Sequence, residues 1–142
     1  MFSSDKTKSS KHKVVMLVDD NKIDNFVNEK VVINSKFTEN VFVHTNAQSA
    51  LEFLKNLETL RSDSAPSILP SYIFLDINMP ISDGYFFLEE FNRLSDAITS
   101  KIKIVMLTSS LNPDDERKSI SYKSVVSYLS KPLTADSLIN MN

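Results

Sequence analysis

Five polar residues of this 142-residue chain stand where short apolar runs end, and their types could perform one kind of chemistry. They are Asp19, Asp20, Asp76, Thr108 and Lys131. Carboxylates that lie close together repel one another, so such a group needs a counter-charge, either a divalent cation or a lysine. A ligand set made only of oxygen atoms suits Mg²⁺. A metal ion, a lysine and a threonine around one nucleophilic aspartate are a sufficient set for phosphoryl transfer.

Apolar runs predict the strands that would bring these polar residues together. The predicted strands span residues 14–18, 39–45, 72–75, 102–107 and 125–129. Strands and helices alternate strictly, which is typical of a doubly wound α/β fold with helices on both faces of a parallel sheet. Ligands of such sheets bind beyond the carboxyl ends of the strands. The alternation therefore predicts that all five polar residues open on one edge of a five-stranded parallel sheet.

The helices are predicted from caps and from apolar residues at helical spacing. The first helix spans about residues 21–35, and its apolar face comprises Ile23, Phe26, Val27, the stem of Lys30, and Val31. The second begins after Asn46, and its inner residues are Ala47, Ala50, Leu51, Leu54 and Leu57. The third begins at Ser82 or Asp83 and carries Phe87, Leu88, Phe91 and Leu94. The N-cap of the fourth helix is Asn112, which is followed by Pro113, and the N-cap of the fifth helix is Thr134.

Composition narrows the class of protein. The net charge of −2 argues against a nucleic-acid binder with a basic face, and the lack of cysteine excludes disulfide scaffolds and thiolate chemistry. The N-terminus lacks the apolar run of a signal peptide, and no later run is long enough to span a bilayer. We expect a flexible polar tail at residues 1–12, one domain at residues 13–142 with a surface loop over residues 61–71, and a cytoplasmic protein without nucleic-acid or membrane partners.

The polar residues occur in motifs that resemble a known family. The motifs are Asp19-Asp20, Asp76-Ile77-Asn78-Met79-Pro80 followed by Asp83-Gly84, Thr108-Ser109, and Lys131-Pro132. Together and in this order, they are similar to the signature of the receiver domain of two-component response regulators. The resemblance extends from about residue 14 to the C-terminus. It implies a flavodoxin-like sheet with the strand order 2-1-3-4-5.

The resemblance also implies a role for each residue. Asp76 would accept a phosphoryl group from a histidine kinase or a histidine phosphotransfer protein, and Thr108 and Lys131 would bind that group. Asp19, Asp20, Asp76 and the backbone carbonyl of Asn78 would hold Mg²⁺. Tyr128 would be the switch aromatic, and the Lys131–Pro132 bond would be cis. Phosphorylation would then alter the surface around the fourth helix, the fifth strand and the fifth helix for an unidentified partner protein.

The resemblance implies a signalling phosphoacceptor, with at most slow self-dephosphorylation, rather than an enzyme. We expect a stand-alone receiver of the chemotaxis or phosphorelay type. One alternative is a Mg²⁺-dependent phosphohydrolase similar to haloacid dehalogenases, which would need a second carboxylate at the position of Asn78. A flavodoxin-like cofactor binder would need Gly, Ser or Thr at Asp19 and Asp20. A receiver-like module that only binds proteins is a further alternative, but every reactive position is intact, so nothing in the sequence supports it. Taken singly, the same residues could also be helix caps, backbone-bonded hydroxyls and solvated charges.

Overall fold

The computed structural model of the chain describes residues 12–60, 68–79 and 83–141. Its centre is a five-stranded sheet with the order β2-β1-β3-β4-β5, and each neighbouring pair of strands is parallel. The strands are β1 (His12–Val18), β2 (Thr38–His44), β3 (Tyr72–Asp76), β4 (Lys103–Thr108) and β5 (Val125–Ser130). The predicted α/β class and the strand order 2-1-3-4-5 are therefore confirmed.

The helices of the described residues follow the strands in alternation. They are α1 (Lys22–Asn34), α2 (Ala47–Leu60), α3 (Gly84–Phe91), α4 (Pro113–Ile120) and α5 (Ala135–Ile139), and a single helical turn (Asp96–Thr99) lies between α3 and β4. The predicted caps of α4 and α5 are confirmed: Asn112 accepts hydrogen bonds from two backbone N–H groups, and Thr134 forms a capping box with Ser137. None of these helices combines the length and apolarity needed to cross a bilayer.

Both faces of the sheet are covered, which is why the central strands are apolar without interruption. Successive side chains of a strand point to opposite faces. In β1, Met16 and Val18 accordingly pack in the cluster that contains the buried residues of α2 and α3. Val15 and Leu17 pack in the other cluster, together with residues of α1 and α5. The predicted inner faces of α2 and α3 are buried as expected.

The predicted inner face of α1 is mostly wrong, since among its apolar residues Val31 packs against the core and the others are exposed. Ile23 is 73% exposed and Phe26 is 61% exposed, whereas Asn25, Asn28 and Val32 are buried. The buried amides hold the helix through hydrogen bonds to backbone: Asn25 Nδ2 donates to the Asp19 carbonyl at 2.8 Å, and Asn28 Oδ1 accepts from the Leu133 N–H at 2.9 Å. Apolar spacing could not reveal this, because buried polar groups are acceptable once they are hydrogen-bonded.

Two predicted segments lie largely outside the described residues. The predicted tail at residues 1–12 is described only at His12, the first residue of β1. The predicted loop at residues 61–71 is described only from residue 68 onward. There, the Ser71 N–H donates to the Val14 carbonyl at 3.0 Å. The chain thus enters β3 beside β1.

Candidate functional site

Three carboxylates meet at the carboxyl edge of the sheet. Asp19 and Asp20 follow β1 and Asp76 ends β3, and one oxygen from each lies within 4.8 Å of the other two. Asp19 and Asp76 are only 2% and 3% exposed, whereas Asp20 is open to solvent. Neighbouring parallel strands end side by side, so the topology brings together residues that are more than 50 positions apart. The structure therefore contains the acidic cluster that the sequence predicts.

Gly84 allows α3 to begin directly against this cluster. A Cβ atom at Gly84 would lie 2.9 Å from the backbone oxygen of Asp76 and 3.1 Å from the Met106 methyl group. The Gly84 N–H also donates to the Ile77 carbonyl at 2.9 Å. The helix therefore packs on the chain next to Asp76 at a distance that a larger residue would prevent.

Lys131 provides the positive charge of the site. Its Nζ atom lies 3.0 Å from Asp19 Oδ2 and 3.5 Å from Asp76 Oδ1, and the lysine side chain is only 11% exposed. The Lys131 N–H donates to the Thr108 carbonyl at 2.8 Å, which attaches the residue after β5 to the end of β4. The Lys131–Pro132 peptide bond is cis, as expected.

Asp24 is a member of the site that the sequence analysis missed. Its Oδ2 atom lies 2.7 Å from Lys131 Nζ, the shortest of the three contacts of that ammonium group with a carboxylate. The residue lies in the first turn of α1, which starts directly after the acidic pair. Helix side chains point toward the helix N-terminus, so an acid at this position points back over the strand ends. The position of Asp24 in the first turn after the acidic pair was the sequence signal that could have identified it as a site residue.

The charges of the site shift two pKa values. Burial raises the pKa of Asp76 to about 7, and the charge of Asp19 adds to the effect, although Lys131 and the Asn78 N–H oppose it. Burial lowers the pKa of Lys131, but the hydrogen bonds to Asp24 and Asp19 outweigh this effect and the pKa is raised. The site brings four carboxylates, those of Asp19, Asp20, Asp24 and Asp76, near one lysine ammonium, so negative charge is in excess. An all-oxygen site with excess negative charge fits a hard divalent cation such as Mg²⁺.

Thr108 and Asn78 lie at the same edge, and their hydrogen bonds are local. Thr108 is 1% exposed. Its hydroxyl donates to the Ser110 carbonyl at 2.9 Å and accepts from the Ser110 N–H at 3.1 Å. The backbone N–H of Asn78 donates to Asp76 Oδ1 at 3.3 Å. The Thr108 side chain thus holds the loop that leads from β4 to α4.

Tyr128 contacts the same loop from β5. Its hydroxyl accepts from the Asn112 N–H at 3.1 Å and lies 3.3 Å from the Asn112 carbonyl. Asn112 is the N-cap of α4. On the other side of α4, the Tyr85 hydroxyl donates to Asp115 Oδ1 at 3.0 Å. The first turn of α4 is therefore held by hydrogen bonds from β5 and from α3.

A shallow cavity of about 290 Å³ lies beside the acidic cluster. It is lined by Asp24, Val27, Asn28, Ser109, Lys131 and Pro132. Val27 belongs both to this lining and to the exposed apolar residues of α1. The lysine can therefore be approached from the side of α1.

Comparisons with known proteins agree with this site and fold. A family model, the response regulator receiver domain, matches residues 15–142. The chain is 31% identical over 107 residues to the response regulator Rcp1 of Synechocystis. The aligned region covers 75% of this chain and 69% of that protein. A structure of Rcp1 in its Mn²⁺-bound form has 30% identity and a TM-score of 0.66, and it covers 91% of this chain and 88% of that one.

Two further solved structures are similar. A two-component response regulator from Cytophaga hutchinsonii has 32% identity and a TM-score of 0.80, over 92% of this chain and 94% of that chain. The phosphorylated cyanobacterial phytochrome response regulator RcpA has 28% identity and a TM-score of 0.68, over 92% and 88% of the two chains. The family match spans nearly the whole chain and includes the acidic cluster. The chain thus belongs to the response regulator receiver domains of two-component signalling systems.

Proposed function

We propose that Asp76 is the phosphoacceptor of this receiver domain and that its phosphorylation requires Mg²⁺. The observation that carries the proposal is a buried carboxylate that has a lysine ammonium at 3.5 Å and two further carboxylates within 4.8 Å. A carboxylate nucleophile flanked by a fixed cation and a potential metal site is what phosphoryl transfer requires. A related chain, RcpA, has been solved in a phosphorylated form.

The metal ligands would be Asp19, Asp20, Asp76 and the backbone carbonyl of Asn78. The proximity of the three carboxylates supports this assignment. The pKa of Asp76 is raised by burial first and by the charge of Asp19 second, and a bound cation would offset both effects. When bound, Mg²⁺ would offset the charges of the carboxylates and of the incoming phosphoryl oxygens. The related Rcp1 has been solved in a Mn²⁺-bound form, and Mn²⁺ accepts the same oxygen ligands.

In the transfer step, a carboxylate oxygen of Asp76 attacks phosphorus and forms an acyl phosphate. The bond between phosphorus and the donor nitrogen breaks, and its electron pair leaves with the donor imidazole. Lys131 would bind a phosphoryl oxygen, since its ammonium already lies beside Asp76 and is held there by two other carboxylates. Positioning and charge neutralisation account for most of the catalysis in such a reaction.

Thr108 would couple the phosphoryl group to the loop before α4. A hydroxyl has one hydrogen to donate, so a bond to a phosphoryl oxygen would take that hydrogen from the Ser110 carbonyl. Ser110 lies two residues before Asn112, which caps α4 and contacts the Tyr128 hydroxyl. Loss of the Thr108 contact would therefore free the segment that determines the start of α4 and the setting of Tyr128.

The surface that would change is formed by α4, β5 and α5. Three large apolar side chains on these elements are more than half exposed: Ile120, Val126 and Ile139. Exposed apolar side chains next to a switching element favour a protein partner as the recipient of the signal. We therefore propose that a downstream protein binds this surface in one of the two states.

The phosphodonor would be a histidine kinase or a histidine phosphotransfer protein that approaches from α1. The exposed Ile23 and Phe26 and the half-exposed Val27 support this direction, because Val27 lines the cavity that leads to Lys131. A phosphohydrolase is not favoured, since position 78 carries an amide where that chemistry needs a carboxylic acid.

Intact-mass measurement after incubation with acetyl phosphate or phosphoramidate tests the acceptor and the metal together. We expect one added phosphoryl group on the wild type with Mg²⁺, none with chelator, and none on Asp76→Asn. The matched control is Asp83→Asn, which removes a nearby carboxylate while keeping an N-cap residue of equal quality for α3. Labelling of Asp76→Asn, or labelling of the wild type without metal, would refute the proposal.

A further inference from the structure

The Lys131 ammonium is divided among three carboxylates, and the closest one belongs to α1. The distances from Nζ are 2.7 Å to Asp24, 3.0 Å to Asp19 and 3.5 Å to Asp76. Asp19 is almost fully buried, whereas the Asp24 side chain is 34% exposed and lies at the mouth of the site. The strongest contact of the lysine is thus with a residue that has no part in the proposed acceptor and metal set.

The position of Asp24 is firmly determined by α1. The Asp24 N–H donates to the Asn21 side chain at 3.0 Å, which fixes the first turn of the helix. The buried amides of Asn25 and Asn28 attach the same helix to the Asp19 and Leu133 backbone. These contacts fix α1 at Asp24, whose carboxylate lies 2.7 Å from the Lys131 ammonium. It is therefore a fixed partner and not a mobile surface charge.

A phosphoryl group on Asp76 would compete with Asp24 for the lysine. The ammonium has three N–H donors, and Asp19 and Asp24 accept from two of them. Only one donor is then left for a phosphoryl oxygen unless the contact with Asp24 is broken. The phosphoryl group carries up to about two negative charges where the Asp76 carboxylate carried one, and so adds negative charge near the Asp24 carboxylate. Both effects raise the free energy of the phosphorylated state relative to the resting state.

We infer that Asp24 is a positioning residue that holds Lys131 in the resting state and weakens its hold on the phosphoryl group. This inference rests on the proposed role of Asp76. Its consequence is that Asp24 lowers the occupancy of the phosphorylated state for a given supply of phosphodonor. Removal of the Asp24 charge should then favour the phosphorylated state, although Asp24 is neither the proposed acceptor nor one of the proposed metal ligands.

The test compares Asp24→Asn, Asp24→Glu and the wild type in binding of beryllofluoride, a mimic of the phosphoryl group, at saturating Mg²⁺. Asp136→Asn is the matched control, because it removes an acid from the first turn of α5 that is not among the carboxylates paired with Lys131. We expect Asp24→Asn to bind roughly tenfold more tightly, from the removal of one nearby like charge. Asp24→Glu should return to wild-type affinity, and Asp136→Asn should not differ from the wild type.

A second measurement addresses the lysine itself in metal-free resting protein. The hydrogen exchange rate of the Lys131 ammonium, followed by ¹⁵N NMR, should rise at least about tenfold in Asp24→Asn, because a neutral amide oxygen accepts a weaker hydrogen bond from the ammonium than a carboxylate does. It should stay near the wild-type rate in Asp24→Glu and Asp136→Asn. A purely structural role of Asp24 in α1 would leave this exchange unchanged.

The outcomes distinguish a failure of the proposed role of Asp76 from a failure of the inferred role of Asp24. Failure of the wild type to bind beryllofluoride would contradict the proposed function, while the exchange measurement would still decide whether Asp24 holds the lysine. Equal or weaker beryllofluoride binding by Asp24→Asn, with normal binding by the wild type, would overturn the competition between Asp24 and the phosphoryl group. Tighter binding together with faster exchange would support it.

Discussion

The raised pKa of Asp76 means that the metal-free site destabilises the folded protein at neutral and alkaline pH. The pKa is about 7 in the folded chain and 3.8 in the reference state that represents the unfolded chain. Between these values the folded state binds more protons than the unfolded state, so the free energy of unfolding falls as pH rises from about 4 to 7. Asp76→Asn, which imitates the neutral carboxyl group, should therefore stabilise the metal-free protein.

The size of the effect follows from the two pKa values. Each pKa unit corresponds to 1.36 kcal/mol, so at pH 8 the raised pKa of Asp76 lowers the free energy of unfolding by about 4 kcal/mol. At pH 5, where Asp76 is mostly protonated in the folded state, the free energy of unfolding is lowered by about 2 kcal/mol. These figures are upper bounds, because the acidic cluster can relax and admit water. Asp76→Asn should thus exceed the wild type in stability by up to about 4 kcal/mol at pH 8, and by roughly half of that at pH 5.

Urea unfolding with chelator present, at pH 8 and at pH 5, measures both values. Glu39→Gln is the control, since it neutralises an exposed carboxylate of β2 far from the site; its stability should change by no more than about 0.5 kcal/mol at either pH. A gain for Asp76→Asn that is equal at the two pH values would mean that ionisation is not its source. No gain at pH 8 would refute the claim that ionised Asp76 destabilises the metal-free folded protein.

Three further predictions follow from particular contacts. Mg²⁺ at about 100 times its dissociation constant should stabilise the wild type by about 2.7 kcal/mol in thermal unfolding, and Asp76→Asn should gain much less because a ligand is lost; equal gains would argue against Asp76 as a ligand. Gly84→Ala should cost about 1–3 kcal/mol in urea unfolding, because its Cβ would lie 2.9 Å from the Asp76 backbone oxygen; an unchanged midpoint would mean that α3 moves away at no cost. Asn28→Ala should lower the free energy of unfolding by about 1–3 kcal/mol, since the buried Leu133 N–H would lose its acceptor. Asn28→Asp keeps an acceptor oxygen and should lower the free energy of unfolding by less; an equal loss in the two variants would contradict this reason.

Local patterns predicted most of the secondary structure. Uninterrupted apolar runs such as Val14 to Val18 indicate strands that are covered on both faces, and the structure contains them. Asn112 followed by Pro113, and Thr134, start their helices as predicted, since a cap depends on neighbouring residues in the chain. The acidic cluster was predictable for a related reason: once the sheet is parallel, the carboxyl ends of its strands must share an edge.

Contacts between distant parts of the chain were not predictable in this way. The fully buried residues of α1 are Asn25, Asn28 and Val32, because the backbone groups of Asp19 and Leu133 form hydrogen bonds with the two amides. Apolar periodicity instead selected Ile23 and Phe26, which the structure exposes.

The same limit applies within the site. The sequence by itself determined which residue types reach the edge of the sheet, because strand ends and caps are encoded by neighbours in the chain. Only the tertiary structure decided that Asp24 holds Lys131, which lies 107 positions away, and that Thr108 bonds to Ser110 and not to a residue across the site. The distances from a side chain to its alternative partners differ by less than 1 Å. These differences are determined only when α1, β4 and the residues after β5 have packed together.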